Sequence, residues 1–177
     1  MKITKRLEEQ LHTLALSLTP GVGSVTARHL ISYCGGASNV FRSDLKKLLK
    51  VPGVGEKLAR LILSGESVRS AEAHYLACAS KGVEVIDHTS VRYPKRLKSL
   101  YDAPLVLFAK GKADFNPLRT IGIVGTRGVT DYGRSVTDAI VKDLMPYNPL
   151  VISGLAYGVD IVAHRACLKH NLSTVGV

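Results

Sequence analysis

Cysteine is scarce in this 177-residue chain: Cys34, Cys78 and Cys167 lie far apart, are odd in number and form no CxxC pair. That pattern fits neither a disulfide framework nor a zinc cluster. No apolar run comes near the roughly 20 residues a membrane-spanning helix requires. The opening MKITKRLEEQ also lacks the apolar stretch of a secretory signal. A soluble, cytoplasmic protein with no membrane partner and no bound metal is the expectation. Acidic side chains are few, 14 against 24 Lys and Arg, leaving a formal charge of +10. Both parts of the chain stay basic when it is split at residue 70. This points toward a polyanionic partner or an acidic surface, and by charge alone it is weak evidence. Two phosphate signatures are missing as well. Without a G-x-G-x-x-G turn, or a carboxylate ending the second strand, a dinucleotide has no seat. Without GxxxxGK(S/T) an ATPase has no phosphate lysine.

What is present begins with a 46% apolar composition, enough for one core of about 100 residues and a smaller satellite domain. A repeat organises the first part. Residues 18–31, LTPGVGSVTARHLI, recur at 51–63 as VPGVGEKLARLIL, so that Pro20, Gly21, Val22 and Gly23 match Pro52, Gly53, Val54 and Gly55. Leu7, Leu11, Leu14 and Leu18 keep helical spacing before the first turn. Ala27, Leu30 and Ile31 keep it afterwards, with Ala59, Ile62 and Leu63 as counterparts. Proline and paired glycines between two helical patterns predict a tight turn that opens the second helix. These residues resemble helix-hairpin-helix DNA-binding units. In such units the glycine amides and the helix dipole meet a backbone phosphate without reading bases. Gly21, Gly23, Gly53 and Gly55 would supply the amides; Lys57 and Arg60, with Arg28 and His29 at the first turn, would flank the phosphate. The alternative is a compact bundle whose glycines serve packing only.

A further helix is predicted over residues 66–79 and a short strand over 83–86, with Gly82 between them. Arg92, Lys95, Arg96 and Lys98 form a basic cluster. Its favoured reading is a solvated helix face with Leu97 and Leu100 turned inward. A strand follows at 105–109. From Thr120 the pattern becomes β-strand (120–124), glycine turn, helix, strand (150–152), Ser153-Gly154 turn, helix (159–168), strand (174–177). This is βαβαβ, whose crossovers are right-handed and whose ligands sit beyond the carboxyl ends of the strands. Both glycine turns lie at that end. The fold class is α/β: a small all-helical helix-hairpin-helix (SAM-like) domain at 1–70, a connecting helix and linker at 71–90, and a partial Rossmann-like parallel sheet at 91–177. Arg127 places a forked, permanent cation at the first turn, which suits a phosphodiester, and Thr126 and Ser153 add hydroxyls.

Three segments in order, YPKRLKSLYDAPLVLFAKG, IGIVGTRGVTDYG and ISGLAYGVDIVAHRACL, with the closing TVGV, resemble the DNA-processing protein A (DprA/Smf) family. The resemblance covers residues 91–177, and the helical domain ahead of it matches the family's arrangement. It implies a Rossmann-like domain that binds and protects single-stranded DNA without cutting it. It also implies help in loading the RecA recombinase during natural transformation, with no cofactor. Carried over, the family's pocket falls on Gly125, Thr126 and Arg127, with a second loop at Ser153, Gly154, Leu155 and Ala156. The alternative role for Arg127 is an ion pair with Asp131 or Asp160. Asp160 and His164, four apart on one helical face, are too few for a metal and read as a cap with a hydrogen-bonded histidine. Family members continue beyond the TVGV strand into further DNA contacts and the dimer surface, so the chain reads as truncated, with an open sheet edge. The competing class is a Rossmann-like nucleotide phosphoribohydrolase, for which Asp131, Asp160 and His164 are the acid-base candidates.

Overall fold

The computed structural model describes residues 4–177. They form two compact units that divide between Gly111 and Lys112.

The first unit carries α1 (Lys5–Leu18), α2 (Ser24–Cys34), α3 (Ala37–Phe41), α4 (Leu45–Leu48), α5 (Glu56–Leu63), α6 (Glu66–Ser80), β1 (Glu84–Asp87), α7 (Lys95–Lys98) and β2 (Val106–Ala109). The repeat seen in the sequence is a repeat of geometry. Gly21 and Gly53 adopt φ of +83° and +82°, a left-handed conformation that disfavours any side chain. Gly23 and Gly55 then cap α2 and α5 from the extended region, at φ/ψ of −82°/170° and −86°/169°. In both copies a short turn bond closes the hairpin, Val22 N to Thr19 O at 3.0 Å and Val54 N to Val51 O at 3.1 Å.

Leu14, Leu16, Leu30, Leu48, Ala59 and Ile62 fill the core of this unit. Glu9 of α1 secures α3, accepting from Ala37 N at 2.8 Å and from the Ser38 hydroxyl. β1 and β2 pair antiparallel from Glu84 opposite Ala109 to Asp87 opposite Val106. Val85, Leu105 and Val106 are buried in the same core as the helices. The sequence division grouped 91–109 with the parallel sheet instead, because a strand pattern does not reveal which partner the strand finds. Leu100 also departs from expectation: it is 52% exposed. The turn after α7 sets its carbonyl to accept from Arg28 and leaves the side chain outside.

The second unit is a parallel sheet in the order β3-β4-β5, with β3 (Thr120–Gly122), β4 (Leu150–Ser153) and β5 (Thr174–Gly176). α8 (Asp131–Asp143) and α9 (Val159–Lys169) are the two connections. β3 is shorter than the apolar run 120–124 suggested, although Ile123 N still donates to Ile152 O at 2.9 Å. Val124 lies past the ladder and is 88% exposed. Val141, Val151, Ala166, Cys167 and Leu172 make the core between sheet and helices. Cys34 and Cys167 are buried, and all three cysteines are free. Among the described residues no helix is long and apolar enough to cross a membrane.

Candidate nucleic-acid interface

The loops that follow β3 and β4 are joined into one piece. Val159 N, opening α9, donates to Thr126 O at 3.1 Å, and the Ser153 hydroxyl donates to Ile123 O at 2.7 Å. Two glycines make this approach possible. A side chain at Gly125 would press on Val159, its Cβ only 2.6 Å from Cγ2. One at Gly158 would overlap the Thr126 carbonyl and lie 2.6 Å from Arg127 Cα. Gly158 also holds φ at +90° with ψ at −131°, a region open in practice to glycine alone.

This arrangement leaves the amides of Gly125, Thr126, Arg127, Gly154, Leu155 and Ala156 without a hydrogen-bond acceptor among the described residues. Donors left unpaired at the carboxyl ends of parallel strands are available to a negatively charged ligand. Arg127 is exposed on the same loop and makes no ion pair among the described residues. Asp131 faces Arg134 instead, at 3.8 Å. The Thr126 hydroxyl oxygen accepts from Gly128 N at 3.1 Å and keeps its proton for another acceptor. Ser153 departs from its expected use as a ligand donor, since its buried hydroxyl is committed to Ile123 and braces the loops. Leu155 is 77% exposed and rests its side chain on Gly176.

His164 is buried with both ring nitrogens engaged, Nε2 with Gly154 O at 2.9 Å and Nδ1 with the Thr174 hydroxyl at 2.7 Å. It thus ties the second loop to β5. Asp160, in the first turn of α9, is buried with Oδ1 unpartnered, and no side-chain hydrogen bond caps that helix. The expected capping role is therefore not the one it plays. The described residues hold no group of three or more metal-ligating side chains.

The two hairpins of the helical unit are alike in backbone and unlike in surroundings. Arg28, expected to flank a phosphate, donates to three carbonyls: Leu100 O at 3.1 Å, Tyr101 O at 2.8 Å and Ala103 O at 2.8 Å. Beside it, Val22 and Gly23 share a cleft of about 260 Å³ with Pro104, Leu105 and Val106. Gly53, Gly55 and Lys57 of the second turn are exposed, as are Gly21 and Gly23 of the first, but the cleft with residues 104–106 adjoins the first turn and not the second. Arg60 pairs with Glu56 at 2.6 Å on the surface. Sequence reasoning missed the role of Arg28 because its three acceptors come from residues 100–103, far along the chain.

Comparison with known proteins adds ancestry to this geometry. A family model described as DNA recombination-mediator protein A matches residues 84–177, more than half of the chain. The chain belongs to this family. A second model, a SAM-like helix-hairpin-helix tandem, matches residues 14–69. A protein Smf from Synechocystis is 30% identical over 96% of this chain and 44% of its own length. The DNA processing protein DprA of Bacillus subtilis is 42% identical over 57% of this chain and 34% of its own length. The chain therefore spans less than half the length of these DprA/Smf relatives. The X-ray structure of DNA processing protein A from Streptococcus pneumoniae aligns with all of this chain and 58% of its own, with a TM-score of 0.68 at 23% identity, a likeness of fold.

Proposed function

We propose that this DprA/Smf chain binds single-stranded DNA on the joined loops, with Arg127 clamping a backbone phosphate. The amides of Gly125, Thr126, Gly154, Leu155 and Ala156 complete the cradle. The observation that carries this reading is six amides and one guanidinium without partners among the described residues, on two loops bonded to one another through Val159 N and Thr126 O. Such a site grips phosphate without reading sequence, which suits a protein that coats incoming DNA. In the whole protein the same act would protect DNA during natural transformation and present it to RecA, with a homodimer as the working form. No cofactor enters this reading. A secondary contact to duplex or junction DNA falls to the exposed second hairpin, through Gly53, Gly55 and Lys57. Gly23 lies beside Pro104 and Leu105, and Arg60 is held by Glu56. The phosphoribohydrolase reading has less support, because His164 has both nitrogens engaged and Asp160 is buried behind the loop.

Fluorescence anisotropy with a labelled oligonucleotide tests the reading. Affinity should fall steeply with added salt. Arg127→Ala should cost about 1.5–3 kcal/mol, roughly ten- to a hundredfold, and flatten the salt slope by about 0.7. Unchanged binding in that variant, or salt-independent binding of a mononucleotide, would overturn it.

A further inference from the structure

Tyr157 is 86% exposed and makes no polar or ring contact among the described residues. Its place on the chain is fixed all the same. The next residue, Gly158, is wedged against the Thr126 carbonyl and Arg127 Cα, and the residue after that bonds to Thr126 O. A large ring is thus exposed to solvent on a residue whose neighbour packs against the Arg127 backbone. The backbone beneath it has little freedom. Two other apolar side chains on the same pair of loops are exposed as well, Val124 at 88% and Leu155 at 77%. An apolar rim beside a cluster of free N–H donors calls for a ligand whose charged and flat aromatic parts alternate. A nucleic-acid strand with unpaired bases has that character, since every base offers a π-face and every linkage a phosphate.

We propose that Tyr157 is a stacking platform for an unpaired nucleobase adjoining the phosphate held by Arg127. This inference rests on the phosphate reading of the loops and adds to it a demand for bases. Because a π-face is common to all four bases, the contact is indifferent to sequence. It also favours single strands, because in a duplex the base faces are already covered.

The test uses the full chain with two labelled probes of equal length, an oligothymidylate and an abasic phosphodiester backbone. Tyr147 serves as the control: it is 58% exposed and precedes β4, at the opposite end of the strand. Tyr157→Ala should bind oligothymidylate about fivefold to a hundredfold more weakly, with the salt slope unchanged. Tyr157→Phe should keep most of the affinity, and Tyr147→Ala all of it. The abasic probe should not distinguish Tyr157→Ala from the parent chain. The proposal is overturned if Tyr157→Ala binds oligothymidylate normally while Arg127→Ala does not, an outcome that leaves the phosphate reading intact. It is also overturned if Tyr157→Phe is as weak as Tyr157→Ala, which would assign the contact to the hydroxyl. Failure of the parent chain to bind either probe overturns both readings together.

Discussion

Gly158 is the residue on which the interface turns most sharply. Its left-handed φ and the absence of a side chain let α9 begin directly against the Thr126 carbonyl. Replacing it with Ala brings both an unfavourable backbone conformation, costing about 1–3 kcal/mol, and an overlap that can be relieved only by separating the loops. We expect Gly158→Ala to lower the thermal midpoint and to remove oligonucleotide binding more completely than Arg127→Ala does. Circular dichroism melts beside anisotropy would measure both.

His88 offers a second test at this scale. Burial pushes its pKa below the ordinary value of 6.5; Asp87 pulls the other way, while Lys98 and Arg28 add to the lowering. The unfolded chain then binds the proton more readily than the folded one, so His88's stabilising contribution is complete above about pH 6.5 and declines as pH falls through that value. Urea midpoints should drop between about pH 7.5 and pH 5.5, and His88→Gln should flatten that drop. The two loops that meet beyond β3 and β4 were legible in the sequence as glycines and one arginine after apolar strands. The commitment of Ser153 to a carbonyl was not, since a hydroxyl's partner depends on which strand lies alongside.

At the scale of elements, the paired PGVG turns were readable because proline and glycine limit the backbone locally, whatever packs around them. Their divergence was not readable. Arg28 binds three carbonyls of the 100–103 turn, so the first hairpin is fastened to its own unit while the second remains open. Charge-assisted hydrogen bonds contribute about 1.5–3 kcal/mol, and Arg28 is half-buried where it makes them. Arg28→Ala should therefore destabilise the helical unit by about 2 kcal/mol in denaturant titrations. It should leave duplex affinity unchanged. Lys57→Glu should do the reverse, leaving stability alone and weakening any duplex binding severalfold at low salt. Equal effects of the two variants on duplex affinity would make the hairpins functional equals.

At the scale of the whole chain, ancestry and compactness draw different lines. The family segment runs over 84–177, whereas the compact units divide after Gly111. The difference has a physical origin in Val85, Leu105 and Val106, which lie in the segment related to DNA recombination-mediator proteins yet are buried among the helices. Fully burying each such side chain contributes about 1.5–3 kcal/mol, and a domain's whole stability is only about 5–15 kcal/mol. A fragment of residues 1–70 should consequently lack a cooperative melt and bind an apolar dye. Residues 1–111 should melt in one transition. Equivalent melts for both fragments would show that the two strands add nothing to the helical core.

The burial of Leu105 and Val106 also bears on synthesis. Since these side chains close a core begun at Leu14, the helical unit stays incomplete on the ribosome until residue 106 has been made. Until then α1 and α6 lack the strands that pack against them, and the nascent helices are exposed to chaperones, or to a neighbouring nascent chain, for the time that stretch takes to translate.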